Sequence, residues 1–262
     1  EVHVCACRGG SAFAAILCNG SVATWGDLDR GADSSTVHGQ LVKVQNIQAS
    51  AAAFAAVLED GTVVSWGPSS HGGDNSRVQR QLVDVKHVQA SAAAFAAALG
   101  DGSVVAWGSP DHGGDSRFVN GLLVNVQHIQ ASSAAFAAVL GDGSVVAWGS
   151  PEHGGDSRFV NGLLVNMQHI QASAGAFAAI RLDGRIVAWG SSSHGGAMAV
   201  RYFHFPRVQC LQATTDDDGS LRCTLCRRDR PLLGLRGRRW GHHASGRQHD
   251  LPPGVGAGLR VH

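Results

Sequence analysis

The chain has 262 residues, of which 44% are hydrophobic and 16% are charged. This composition is typical of a globular protein and excludes the weakly hydrophobic, highly charged class of disordered chains. The formal net charge is +1, but nine arginines against Asp229 and Asp250 place +7 after Gly219 and leave −6 on the rest. The residues up to Gly219 are therefore not expected to bind nucleic acid, because surfaces that bind phosphate contain clusters of Lys and Arg.

One unit of 41 residues recurs through residues 1–214. Tryptophans followed by glycine mark it at a constant interval, at Trp25, Trp66, Trp107, Trp148 and Trp189. Phenylalanines keep the same 41-residue interval, at Phe13, Phe54, Phe95, Phe136 and Phe177. A period of this size indicates stacked units in a solenoid, propeller or array.

Each unit carries the signals of a three-stranded meander. In one copy, Ala94–Leu99 leads through Gly100-Asp101-Gly102 into Ser103–Gly108. Asp-Gly between two apolar runs is a strong hairpin signal. The alternation of apolar and polar residues over Val126–Ser132 predicts a further strand. Ala92–Ala98 by itself favours a helix, but its recurrence beside the Asp-Gly turn favours a strand.

The order of these motifs resembles the repeat of the regulator of chromosome condensation family. It runs through a strand ending in Ile-x-Ala, then Phe-Ala-Ala-Val-Leu, Asp-Gly, Val-Val-x-Trp-Gly and a His-Gly-Gly loop. The likeness covers about residues 4–214 and implies the blades of a β-propeller. Repeats of that family are generally longer and build a seven-bladed ring, and their usual glycine and histidine before the second strand are replaced here. We therefore predict an all-β, propeller-like array of about five blades, either open or incomplete.

The pattern stops after Thr214, and residues 215–262 are predicted to form a basic, irregular tail. Trp240 does not restore the register, since it follows Trp189 by 51 residues. Codons that encode Ser220–Leu235 can be chosen so that a one-base shift gives Pro-Phe-Ala-Ala-Leu-Cys-Ala-Asp-Gly-Thr-Val-Leu-Ser-Trp-Gly, a sixth copy of the repeat. We hypothesise that the tail derives from a frameshift. Transcript sequencing tests this, and an uninterrupted frame with incompatible codons would contradict it.

The six cysteines are absent from the three central repeats, which argues against a disulfide framework. A reducing compartment, cytoplasmic or nuclear, is expected. Cys223 and Cys226 with His242, His243 and His249 resemble a zinc pattern, but in a frameshifted tail this is a coincidence. We expect no metal and no cofactor. No apolar run approaches the length of a membrane span, so no membrane partner is expected.

The loop after each Trp-Gly strand holds the candidate binding residues. They are the histidines before Gly-Gly, the aspartates that follow, and two arginines: His71, His112, His153, His194, Asp74, Asp115, Asp156, Arg117 and Arg158. In a ring they would surround one rim and could contact a protein partner. Phe118 and Phe159 lie on the same loops and could anchor it. The alternative is structural, with Gly-Gly turning the chain and the polar side chains bonding to exposed backbone.

No nucleophile with its base, paired carboxylates or phosphate loop stands apart from the repeat. The sequence therefore predicts a non-catalytic protein–protein interaction scaffold, not an enzyme, with an unknown protein partner. The family resemblance implies two alternatives. One is guanine-nucleotide exchange on a small GTPase, and the other is a fragment of a HECT-type ubiquitin ligase that binds ubiquitination substrates. Residues 102–142 and 143–183 are nearly identical, which argues against the asymmetric face that exchange requires.

Overall fold

The computed structural model describes residues 3–196, 210–215, 221–227 and 230–231. In these residues the regular structure is β-strand, joined by short 3-10 turns. Within the same ranges, no helix is long and apolar enough to cross a membrane. The fold is all-β, as the hairpin signals predicted.

Each repeat folds into one antiparallel sheet of three strands in chain order, which confirms the predicted meander and five blades. The first two sheets are β1 (His3–Ala6), β2 (Ala12–Ile16), β3 (Val22–Gly26) and β4 (Val44–Ala49), β5 (Phe54–Leu58), β6 (Val63–Trp66). The next two are β7 (Val85–Ala90), β8 (Ala94–Leu99), β9 (Val104–Gly108) and β10 (Val126–Ala131), β11 (Ala135–Leu140), β12 (Val145–Gly149). The fifth is β13 (Met167–Ala172), β14 (Ala176–Arg181), β15 (Ile186–Gly190).

The backbone continues into a sixth three-stranded sheet of β16 (Cys210–Thr215), β17 (Leu221–Arg227) and β18 (Arg230–Pro231). The predicted boundary at residue 214 thus falls inside β16. β17 begins where the shifted reading begins its Phe-Ala-Ala strand. The frameshift stays a prediction, and the side chains of the proposed zinc pattern lie outside the described residues.

The alanine-rich middle strand is a strand because it is buried on both faces. Phe95 and Ala94, Ala96 and Ala97 of β8 are 0% exposed. Alanine has little intrinsic preference for strands, but its small side chain lets sheets on both sides approach closely. Tertiary packing therefore overrides the helical propensity of this segment.

Main-chain hydrogen bonds tie consecutive sheets together at both ends. At one end, the Ala92 N–H donates to the Ser133 carbonyl at 2.8 Å, and at the other the Val126 N–H donates to the Gly102 carbonyl at 2.9 Å. Asn125, just before β10, adopts a φ of +53°. Its carbonyl accepts from the Gly141 N–H of its own repeat at 2.8 Å. The left-handed residue thus lets the chain join two repeats at one point.

The sheets fan out from their first strands. Cα atoms of β10 and β13 approach within 8 Å, as do those of β4 and β7. The third strands instead contact the 3-10 turn of the preceding repeat, as β12 does with residues 110–112. First strands therefore lie on the inner side and third strands on the outer side, which is the arrangement of propeller blades.

A tryptophan hydrogen bond joins the outer strand of each of the second to fifth repeats to the repeat before it. The indole Nε1 of Trp107 donates to the Gly72 carbonyl at 3.0 Å, and Trp66, Trp148 and Trp189 bond Gly31, Gly113 and Gly154 in the same way at 2.9 to 3.0 Å. Trp107 also stacks on Phe95 with ring centroids 5.3 Å apart. The constant 41-residue spacing of the tryptophans thus reflects a contact that recurs between repeats.

Replacement of Trp107 by alanine should destabilise the array strongly. The side chain is 4% exposed, and truncation of a buried aromatic costs about 3 to 5 kcal/mol. Trp25→Ala is the matched control, because Trp25 is 46% exposed. Chemical denaturation followed by circular dichroism measures both. Equal losses for the two variants would contradict the inter-repeat role of the buried tryptophans.

Candidate functional site

The histidine of each outer loop is held by its own repeat. His112 ends a 3-10 turn at Pro110–His112, and its Nδ1 lies 3.1 Å from the Ser109 hydroxyl. Its carbonyl accepts a hydrogen bond from the Oγ of the buried Ser91 at 2.8 Å. The same serine bond to the carbonyl recurs at His71, His153 and His194 at 2.8 to 2.9 Å. The four histidines therefore help to shape the loop, and a binding role for them stays a prediction.

The Gly-Gly pair that follows is required by close packing. Gly113 has a φ of +89°, and a Cβ there would lie 2.6 Å from Cδ2 of Phe136 in the next repeat. A Cβ on Gly114 would lie 2.5 Å from the Gly108 carbonyl oxygen of its own strand. Gly113 also supplies the carbonyl that accepts from Trp148. The loop thus fills the space between two repeats.

The candidate aspartates and arginines pair with each other within one loop. Asp115 accepts from the main-chain N–H of Arg117 at 3.0 Å, and its two carboxylate oxygens accept from Nε at 2.9 Å and Nη2 at 2.7 Å. Asp156 and Arg158 repeat this arrangement. The side-chain hydrogen bonds from the arginine lower the pKa of each carboxyl below its ordinary value. Asp74 instead accepts from the Ser76 N–H, and this bond lowers its pKa.

The residues that follow Arg117 and Arg158, together with the residues at the equivalent position of the other loops, form an exposed row. Phe118 is 91% exposed and Phe159 is 88% exposed. Thr36 and Arg77 occupy the equivalent positions of the first two repeats and are also exposed. The two aromatic rings thus stand in solvent on adjacent repeats, each beside a paired arginine. We call Arg77, Phe118 and Phe159 the rim row.

A cleft of about 570 Å³ lies between the loops of the second and third repeats. Its walls include Asn75, Arg77, Trp107, Asp115 and Arg117. Its polar groups belong mostly to the two loops, and the strand β9 forms the rest. The cleft therefore adjoins the rim row and could receive part of a bound partner.

Sequence reasoning missed a second polar row on the inner strands. Asn46, His87, His128 and His169 are exposed at equivalent positions. The register of β10 against β11 shifts between Val126 and His128, and this bulge exposes Gln127 together with His128. Simple alternation of faces gives no signal for a bulge.

Among the described residues, no group of three or more His, Cys, Asp or Glu side chains could hold a metal ion.

No protein-family model matches the chain, and no curated protein matches it. Among the solved structures that resemble it are propellers of the regulator of chromosome condensation type, as the repeat motif predicted. Human WBSCR16 has 16% identity and a TM-score of 0.47, over 79% of this chain and 67% of that structure.

Two yeast structures are similar to the same degree. Prp20p from Saccharomyces cerevisiae, described with its binding to Gsp1p and histones, has 16% identity and a TM-score of 0.45, over 72% of this chain. Yeast RCC1 (Prp20) bound to Kap60 has 15% identity and a TM-score of 0.46, over 75% of this chain. The chain spans 57% and 58% of the length of the chains in these two structures.

Gly113→Ala should lower stability by about 1 kcal/mol or more, since a positive φ is incompatible with alanine and a Cβ would collide with a buried ring. Gly121→Ala on the same loop is the matched control, because a Cβ there meets nothing within 4 Å. Thermal unfolding of both variants measures the difference. A neutral Gly113→Ala would show that the loop does not pack as described.

The aspartates that pair with arginine should make the stability of the fold depend on pH in the acid range. Their pKa values are lowered in the folded state, so their contribution is present above the unfolded-state pKa of about 3.9 and is lost as pH falls through the folded values. The double variant Asp115→Asn with Asp156→Asn should therefore lose less stability than the wild type between about pH 5 and pH 2. Melting temperatures over this range measure it, with Asp111→Asn as control. Parallel curves for all three proteins would refute the pairing as a source of stability.

Proposed function

We propose that the chain is a non-catalytic protein-interaction scaffold that binds its partner through the rim row. The observation that carries the proposal is the exposure of Phe118 and Phe159, at 91% and 88%, on loops whose neighbouring charges are already paired. Burial of an exposed aromatic ring by a partner lowers the free energy of the complex. Such rings dominate the binding energy of many interfaces.

The loops that carry the two rings are ordered before a partner binds. Arg117 is bonded to Asp115 through both its main chain and its guanidinium, and the preceding Gly113 is locked between two repeats. A surface that is already ordered loses less conformational entropy on binding. The second copy of the same loop, at Asp156 and Arg158, offers the same contact one repeat further on. Two linked contacts raise the total affinity beyond either alone.

The partner's surface should be apolar, with an acidic group that reaches Arg77. Arg77 is exposed and lies in the wall of the cleft, at the position of the second repeat that is equivalent to Phe118 and Phe159. The salt-bridged Arg117 and Arg158 add little net charge. A carboxylate opposite Arg77 would gain a charge-assisted hydrogen bond, while apolar side chains would cover the rings.

The test is a double variant, Phe118→Ser with Phe159→Ser. Both rings are exposed, so the fold should be retained, while affinity for a partner identified by crosslinking should fall about tenfold or more. Val42→Ser with Val83→Ser is the control, since these valines are 55% and 58% exposed outside the rim row. Equal affinity of the two double variants would refute the rim row as the binding surface.

Guanine-nucleotide exchange is the alternative that this proposal must exclude. A scaffold leaves the rate of nucleotide release from a small GTPase unchanged, whereas an exchange factor accelerates it. Release of a fluorescent guanine nucleotide, measured with and without the chain, separates the two. Acceleration by wild type would replace the scaffold with an exchange factor.

A further inference from the structure

Three asparagines of the chain are followed directly by glycine, at Asn19, Asn120 and Asn161. An asparagine in such a pair can lose its side-chain amide without an enzyme. The main-chain nitrogen of the next residue attacks the side-chain carbonyl carbon, and glycine has no side chain to block the approach. The reaction requires a side chain and a main-chain N–H that are free to meet. The hydrogen bonds of the three pairs therefore decide which of them reacts.

The pair at Asn19 is held in a hairpin turn. The Asn19 Oδ1 accepts from the Ser21 N–H at 3.0 Å and from the Ser21 hydroxyl at 2.7 Å. The Gly20 N–H, which would have to attack, donates to the Leu17 carbonyl at 2.9 Å. Gly20 also has a φ of +79°, and a Cβ there would lie 2.9 Å from the Lys43 Cα. The turn is therefore fixed by its own hydrogen bonds and by the chain beside it.

Asn120 and Asn161 have identical neighbours in sequence but different hydrogen bonds. Residues 118–125 and 159–166 have the same sequence. In both loops the N–H three residues after the asparagine donates to the asparagine carbonyl at 3.2 Å. The Asn161 Oδ1 also accepts from the Ser157 hydroxyl at 2.8 Å. In the part of the chain that the structure describes, neither the Asn120 side chain nor the Gly121 N–H makes a hydrogen bond.

The loop at Asn120 also leaves room for the reaction. Asn120 and Gly121 are both exposed, and a Cβ on Gly121 would meet no atom within 4 Å. A ring that forms between the two residues therefore displaces no packed side chain.

We propose that Asn120 is a site of spontaneous deamidation, and that it reacts faster than Asn161 and Asn19 in the folded chain. The Gly121 nitrogen forms a bond to Cγ of Asn120, the Cγ–Nδ2 bond breaks, and Nδ2 leaves as ammonia with the proton of the Gly121 nitrogen. Water then opens the cyclic imide at either of its carbonyls, which gives aspartate or isoaspartate. The reaction needs only water, and it does not depend on the rim row.

The modification would change the charge of the cleft between the second and third repeats. Asn120 lies in the wall of this cleft together with Arg77 and Arg117. A neutral amide there would become a carboxylate, in a wall where Asp115 is already paired with Arg117. The isoaspartate product would also lengthen the main chain of the loop by one carbon atom.

The test follows the full, folded chain during incubation at mildly alkaline pH, where the attacking nitrogen loses its proton more readily. Cleavage after arginine places the three asparagines in separate peptides, 9–30, 118–158 and 159–181. Mass spectrometry then measures the conversion of amide to carboxylate in each peptide. We expect Asn120 to react about threefold or more faster than Asn161, because the hydrogen bond from Ser157 restrains the Asn161 side chain. Asn19 should react most slowly.

The denatured chain is the internal control. In denaturant the hydrogen bond from Ser157 is lost, and the identical neighbours of Asn120 and Asn161 should give equal rates. Chromatographic separation of the products should show isoaspartate beside aspartate, since a cyclic imide opens in both directions.

Variants identify the cause of the difference. Ser157→Ala should raise the rate at Asn161 to that at Asn120, whereas the matched Ser116→Ala should leave the rate at Asn120 unchanged. Gly121→Ala should slow the reaction at Asn120, because the added methyl group shields the attacking nitrogen. Thermal unfolding confirms that each variant is folded.

Several results would overturn the proposal. They are an intact Asn120 after the denatured chain has reacted, equal rates at Asn120 and Asn161 in the folded chain, and aspartate without isoaspartate. An Asn161 that stays slow in folded Ser157→Ala would show that the serine hydrogen bond does not protect it.

Discussion

The hydrogen bond from a tryptophan indole to a glycine carbonyl of the preceding repeat is the contact on which this structure depends. It links an outer strand to the loop before it, and it does so four times with the same geometry. The donor is buried, so an unmade bond would cost free energy instead of being replaced by water. Trp and Gly are therefore fixed together. The phenylalanine ring that stacks on the tryptophan also packs on that glycine, which excludes any side chain there.

This constraint decides which loop residues remain available for function. Several groups of each outer loop already make contacts within the protein. They are the histidine carbonyl, which accepts from a buried serine, the two tightly packed glycines, and the aspartate carboxylate, which pairs with the arginine of its own loop. Side chains that point away from these contacts are those of the rim row, Arg77, Phe118 and Phe159. The residues that recur most regularly thus hold the blades together, whereas the residue that varies from Thr36 to Arg77 to phenylalanine is exposed.

The same constraint explains why the two sides of the first repeat differ. The face of a sheet that carries the Phe and Trp rings is buried only when the loop of the preceding repeat covers it. Stacked repeats need terminal units that protect such faces. The first sheet has no such loop in the described residues, so Trp25 and Val4 are exposed although their counterparts are buried.

The sequence by itself determined the number of repeats, their strands and the outer loops, because the Asp-Gly turns and the 41-residue period express local chemistry that repeats in every copy. It also singled out the loops that carry Arg117, Phe118 and their equivalents. Only the tertiary structure decided that Arg117 is neutralised by Asp115, that His128 is exposed by a bulge, and that Trp25 differs from four identical residues. These outcomes depend on which neighbour lies across the gap between two sheets. Trp25 in the first copy has a local sequence similar to that of the others but lacks that neighbour among the described residues.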